Sequence, residues 1–195
     1  MASFRSALGV LLALREQLSK RMATLLGGNP SILILGSQDL AGAIAADALG
    51  IYVHRIAVDP FSRNRFLPPA AGRRTPQAEL PVNLHILLIG WSSNRESEIN
   101  YLAAAMQIIG SGLQLDSSHL GQADADWRTA DSVQVVPDDM STEDLMRMWD
   151  SLPGNYRLSA PYIIKSVRLA PDVVAEDAPL VRTLIFPAAD EAGQP

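Results

Sequence analysis

Apolar positions recur at helical spacing from the start of the chain. Phe4, Leu8, Leu11, Leu14, Leu18, Met22 and Leu25 form one stripe, which predicts a helix over residues 4–26. Gly27-Gly28-Asn29-Pro30 ends it. Ile32 to Leu35 is an unbroken apolar run that reads as a short buried strand, and the alanine-rich stretch leading to Leu49 reads as a small-residue helix. Ile51 to Val58 is a further strand, with Tyr52, His54 and Ile56 on one face and Ile51, Val53, Arg55 and Ala57 on the other. Val82 to Trp91 is apolar except at Asn83 and His85, the pattern of a central strand. Ser93 and Glu96 offer a capping box for a helix carrying Ile99, Leu102, Met106 and Ile109 and closing at Gly110. Residues 111–132 are polar, acidic and aperiodic, and read as loop. Val133 to Val136 is a short strand.

The strongest local pattern follows. Ser141 is placed to cap a helix, with Asp144 three residues on, and Leu145, Met148, Trp149 and Leu152 share one stripe. Pro153-Gly154 stops that helix. Tyr156, Leu158, Ala160, Tyr162 and Ile164 then alternate with Arg157, Ser159 and Lys165, as on a half-buried strand. Pro161 marks Tyr156 to Arg168 as an edge or bulged strand. Leu180 to Phe186 reads as a last strand. The expected fold is α/β, a mixed β-sheet flanked by helices in one domain over residues 1–188, with a flexible tail at 189–195.

Composition narrows the function classes. At 195 residues, 48% hydrophobic and 19% charged, the chain can bury one substantial core. Cysteine is absent, which excludes disulfides and thiolate metal sites and is compatible with a reducing compartment. The N-terminus lacks an Ala-x-Ala cleavage site, and Arg15, Glu16 and Gln17 interrupt its apolar run too early for a membrane span. A soluble, cytoplasmic protein is expected, with no membrane partner. A net charge of -5 argues against nucleic acid. That charge is unevenly spread. Residues 51–80 carry five arginines against two acids, whereas residues 116–150 carry nine acids against two arginines. Five prolines between Asp59 and Pro81 forbid a regular helix or central strand there, so this stretch reads as a contact arm.

Chemical signatures are few. Gly36 and Gly42 follow a strand, but the middle glycine of a dinucleotide fingerprint is missing and no P-loop is present. A nucleotide-binding α/β enzyme built on residues 32–50 is therefore the rival reading. His54, His85 and His119 are isolated from one another and lack metal-ligand spacing. The pairs Asp124/Asp126 and Asp138/Asp139 read as solvated or capping carboxylates, and no nucleophile elbow occurs. No catalytic, cofactor or metal site is expected, and the chain reads as a non-enzyme.

Several pieces, in order, resemble the cap (tail-terminator) proteins of bacterial contractile injection systems of the antifeeding-prophage and virulence-cassette type. They are the N-terminal helix, the Tyr52-x-His54-Arg55-Ile56 strand followed by Arg63-Asn64-Arg65, and the Pro81 to Trp91 strand. The Ile99 to Ile109 helix and the Ser-Thr-Glu-Asp start, Met-Trp end and Tyr-Arg-Leu-Ser-x-x-Tyr run of residues 141–162 complete the set. The resemblance covers roughly Phe4 to Leu169. It implies a homo-hexameric ring at one end of a phage-tail-like particle that terminates the inner tube and the sheath and stabilises the extended sheath. A baseplate-side adaptor of the same particle is the alternative. Candidate contacts to a neighbouring cap subunit or to sheath are Arg63, Asn64, Arg65, Arg73 and Arg74 on the arm, and Tyr156 and Arg157 at the start of the Tyr156 to Arg168 strand. An edge strand at Tyr156 to Arg168 would accept a sheath arm by strand addition.

Overall fold

The computed structural model describes residues 4–42, 46–62, 66–67, 77–121, 127 and 131–170. In chain order these form α1 (Ser6–Leu26), β1 (Ser31–Leu35), a 3-10 turn (Asp39–Ala41), β2 (Ala48–Val58), β3 (Phe66–Leu67), β4 (Gln77–Ala78), β5 (Leu80–Trp91) and α2 (Arg95–Gly110). They continue with β6 (Gln114–Asp116), α3 (Ser117–Leu120), β7 (Ser132–Pro137), α4 (Thr142–Ser151) and β8 (Ser159–Leu169). Six strands make one mixed sheet in the order β1-β2-β5-β8-β7-β6, while β3 and β4 pair separately. β1 runs parallel to β2, and the other pairings are antiparallel. None of the described helices is long and apolar enough to cross a membrane.

Alternation divides the side chains of the sheet between two faces. Leu84, Ile86 and Leu88 of β5, with Leu49 and Ile51 of β2, join Val10, Leu14, Leu18 and Met22 of α1 and Leu102, Ala105 and Ile109 of α2 in the larger core. Leu87, Ile89 and Trp91 face the other way, with Ala48 and Tyr52, and meet α4 through Trp149, Leu145, Met148 and Leu152. β5 feeds both cores, as its near-continuous apolar run requires of a central strand.

Several sequence expectations change in the fold. Leu11, Leu14, Leu18 and Met22 are buried, but Phe4, Leu8 and Leu25 are exposed, because Gly9, Val10 and Ala13 complete the inner face of α1 instead. In α2 the exposed members are Ile99 and Met106. Its inner face carries alanines because the helix lies close to the sheet: a Cβ on Gly90 would stand 2.8 Å from the Glu98 carbonyl oxygen. The cap of α2 is Asn94, not Ser93; its side chain accepts from the Glu96 N–H at 2.9 Å. The segment expected to be loop holds β6 and α3, and it delivers Leu113, Leu115, Leu120 and Trp127 to the core. Four core positions, Leu113, Leu115, Leu120 and Trp127, fall at spacings of two, five and seven, which leave no single period to read. Ser141 caps α4 as expected, accepting from the Asp144 N–H at 3.1 Å.

β8 is not an edge strand; it lies between β5 and β7. Pro161 is tolerated because its carbonyl accepts from the Asp138 N–H at 3.1 Å, which turns its donor-less nitrogen towards the place where β7 has just ended. The bulge in β8 lies further on, at Lys165 and Ser166 opposite Asn83. The sheet ends instead at β1 and β6. The strand expected at Leu180 to Phe186 and the tail at 189–195 fall outside the described residues.

Candidate functional site

The proline-rich arm leaves the sheet between the last residue of β2 and the start of β5. Its base is fixed. The Asp59 N–H donates to the Pro81 carbonyl at 2.9 Å, and the Asp59 carboxylate accepts from the Phe61 N–H at 3.0 Å. Asp59 and Glu79 are both buried, and Glu79 lies 3.9 Å from Arg168. Phe61, by contrast, is almost fully exposed, and Ile56, Val58 and Leu80 beside it are also exposed. The short β3–β4 pair lies within the arm, consistent with prolines that bar longer strands. Arg63, Asn64, Arg65, Arg73 and Arg74 lie outside the described residues.

Tyr156 and Arg157 occupy the connection from α4 to β8. The Arg157 guanidinium stacks over the Trp91 ring at 4.1 Å from its centroid, a cation–π distance. The Tyr156 ring meets Trp149 edge to face at 5.9 Å and remains about half exposed. Trp149 in turn donates its indole N–H to Ser159 Oγ at 3.0 Å. Leu158 is held on both sides, its N–H donating to Glu98 at 3.2 Å and its carbonyl accepting from the Gly90 N–H at 2.9 Å. The two sequence candidates therefore come together as one patch at the end of β5. Arg157 is largely committed to packing on Trp91, and Tyr156 presents the exposed ring. The arginine Nε is buried with no hydrogen-bond partner among the described residues.

The described part of residues 32–50 shows no phosphate cradle. The Asp39 carboxylate accepts from the Gly36 N–H at 2.7 Å, which puts negative charge where a phosphate oxygen would need to sit. A single 3-10 turn follows, and Ala48 and Leu49, read as the end of a helix, already belong to β2. The acidic stretch is also rearranged from its sequence appearance. Asp116 caps α3, Asp131 pairs with Arg168 at 3.5 Å, Asp144 accepts from Ser141 at 2.7 Å, and Glu143 pairs with Arg147.

Two of the histidines are not isolated. At the β2 bulge between Val53 and Arg55, His54 and Arg55 both face His85 of β5. Their rings meet edge to face at 5.9 Å. His85 Nδ1 lies 2.8 Å from an Asp138 oxygen just beyond β7, and both side chains are 15% exposed. Burial, then the neighbouring His85, holds His54 below the usual imidazole pKa. The three side chains offer ligand atoms that all lie within 4.8 Å of one another. They come from positions separated by up to 84 residues of chain, so no local spacing signals them. His119 stands apart and completes the capping box of α3 with Asp116.

Solved structures that share this fold include two terminators. One is the sheath/tube terminator of an extracellular contractile injection system (PVC) in its extended state, with a TM-score of 0.61 and 18% identity over 94% of this chain. The other is the tube-terminating cap of the anti-feeding prophage, with a TM-score of 0.58 and 17% identity over 91% of this chain. This chain spans 64% and 59% of the lengths of those two proteins. No curated protein matches it. The family described as the Pvc16 N-terminal domain matches residues 9–183, nearly the whole chain, and the chain belongs to that family.

Proposed function

We propose that this chain is a structural, non-catalytic cap of a contractile phage-tail-like particle. In this reading six copies form a ring on the end of the inner tube, contact the last sheath layer, terminate both polymers and stabilise the extended sheath. The observation that carries the reading is the shared fold with a sheath/tube terminator across nearly the full chain, joined to family membership. A heterologous interface that closes on itself makes such a ring, and two oppositely charged regions of one chain suit head-to-tail contact. The outer edge of β1, unpaired among the described residues, is where an extended segment of a neighbour could add a strand.

Native mass at low and moderate salt tests the ring: six chains of 21.0 kDa amount to about 126 kDa. Co-purification with the tube protein tests a ring that forms only on the tube. Gold labelling of the chain in intact particles locates it. Label at the end opposite the baseplate is expected, and label at the baseplate would replace the cap with an adaptor.

A further inference from the structure

The His54, His85 and Asp138 cluster lies on the sheet face that carries α4. Alternation along β5 places His85 with Leu87 and Ile89 on that face, and alternation along β2 places His54 there with Ala48 and Tyr52. We propose that these three side chains bind one divalent transition-metal ion, of which zinc is the best match, with a further coordination position left to solvent. Two imidazoles and a carboxylate are borderline donors that favour zinc, cobalt, nickel or copper over calcium and magnesium. Three protein ligands plus an open position is an established zinc arrangement.

The geometry is close to what an ion needs. Ligands at zinc bond lengths around a tetrahedral centre stand about 3.3 Å apart, against the present limit of 4.8 Å. His54 Nε2 is buried and has no hydrogen-bond partner among the described residues, a costly state that a metal bond would relieve. The Asp138 carboxylate supplies the anionic ligand; its oxygen already stands 2.8 Å from His85 Nδ1, close to a ligand–ligand separation, and an ion bound between the two would replace that hydrogen bond. Arg55 opposes a cation, but it is exposed on the strand surface and water screens its charge. Because the ligands come from β2, β5 and the end of β7, the ion would tie together strands on both sides of β8. This inference does not depend on the cap reading.

The test uses the full chain without an affinity tag, stripped with chelator. Calorimetric titration with zinc should give one ion per chain, and chelator should reverse the accompanying rise in Tm. Cobalt should develop the visible absorption of a low-symmetry site at one equivalent. His54→Gln and His85→Asn should each weaken zinc binding at least about tenfold, while His119→Gln leaves it unchanged. Circular dichroism verifies that each variant is folded. Failure of the wild-type chain to bind zinc, or unchanged binding by the folded double variant at His54 and His85, would overturn the proposal.

Discussion

Ser166 is the one non-glycine residue with a positive φ among the described residues, at 60°. It sits in the β8 bulge, and its N–H donates to the Asn83 side chain at 3.0 Å. The left-handed conformation strains an L-residue, so the bulge is held by the contact rather than by local preference. Asn83→Ala should destabilise by about 1–2 kcal/mol, because a part-buried N–H loses its partner. Ser166→Gly should be neutral or stabilising by up to about 1 kcal/mol, since glycine relieves the strain. Urea denaturation of the two variants checks both signs; equal losses in both would disprove the assignment. A second residue-scale device joins the start of β2 to α2. Hydrogen bonds from Ser92 and then Ser97 hold Asp47 below the ordinary carboxylate pKa. A carboxylate depressed on folding contributes stability above its unfolded pKa and loses it as pH falls through the folded value. Ser92→Ala should move the Asp47 pKa upward and reduce the loss of stability on acidification. Carboxyl NMR titration reads the first effect and thermal melts at falling pH the second.

At the scale of elements, α4 is tied to the rest of the fold at few points. Trp149 is its one buried residue, and the turn after it presses against the 3-10 segment. A Cβ on Gly154 would stand 2.4 Å from the Leu40 carbonyl oxygen, a backbone atom that cannot swing away. Gly154→Ala should therefore cost about 1–3 kcal/mol and loosen α4 ahead of the sheet. Hydrogen exchange would register this as lost protection in α4 with β5 unchanged; uniform loss would mean that α4 and the sheet open together. This helix was legible in the sequence because cap, stripe and stop agree over a dozen residues, and β5 was legible because a strand buried on both faces has no polar phase. The spacing correctly assigns Leu11, Leu14, Leu18 and Met22 of α1 and Leu102 and Ile109 of α2 to the inner faces, but it wrongly adds Phe4, Leu8, Leu25, Ile99 and Met106 to the stripes. Where a helix lies close to its neighbour, glycine and alanine such as Gly9, Ala13, Ala104 and Ala105 complete the buried side, so hydrophobic size alone misleads. β8 was legible as a strand, and of the two readings Pro161 allowed, edge or bulged, the bulge is present at Lys165 and Ser166 while the edge is not, because the harm done by a proline depends on whether a partner faces its nitrogen. The meeting of His54 with His85 was invisible for a different reason: the pairing register of β2 with β5, in which Val53 faces Ile86, sets His54 opposite His85 and Asp138 arrives from the end of β7, and local alternation announces no partner across strands.

For the whole molecule, the division of charge takes on a different meaning in the fold. The acidic region is not a row of free carboxylates awaiting arginines. Asp116, Asp131, Asp138, Glu143 and Asp144 all have internal partners. Their negative field persists, but discrete ion pairs with a neighbour would compete with contacts already made. In the proposed ring, attraction between the arginine-rich arm and the acidic side of an adjacent subunit should therefore act mainly through steering and register, and weaken steeply with salt. Reversal of Arg63, Arg65, Arg73 and Arg74 to Glu removes that attraction and replaces it with repulsion. The arm contributes little to either core through its described residues, so circular dichroism and Tm should stay close to the parent values. Native mass should fall from that of the ring towards that of one chain, and particles made with the variant should lack the label at their distal end. A variant that still forms rings at parental yield and salt dependence would move the interface away from the arm, leaving the exposed apolar residues at its base and the β1 edge to hold neighbouring subunits together.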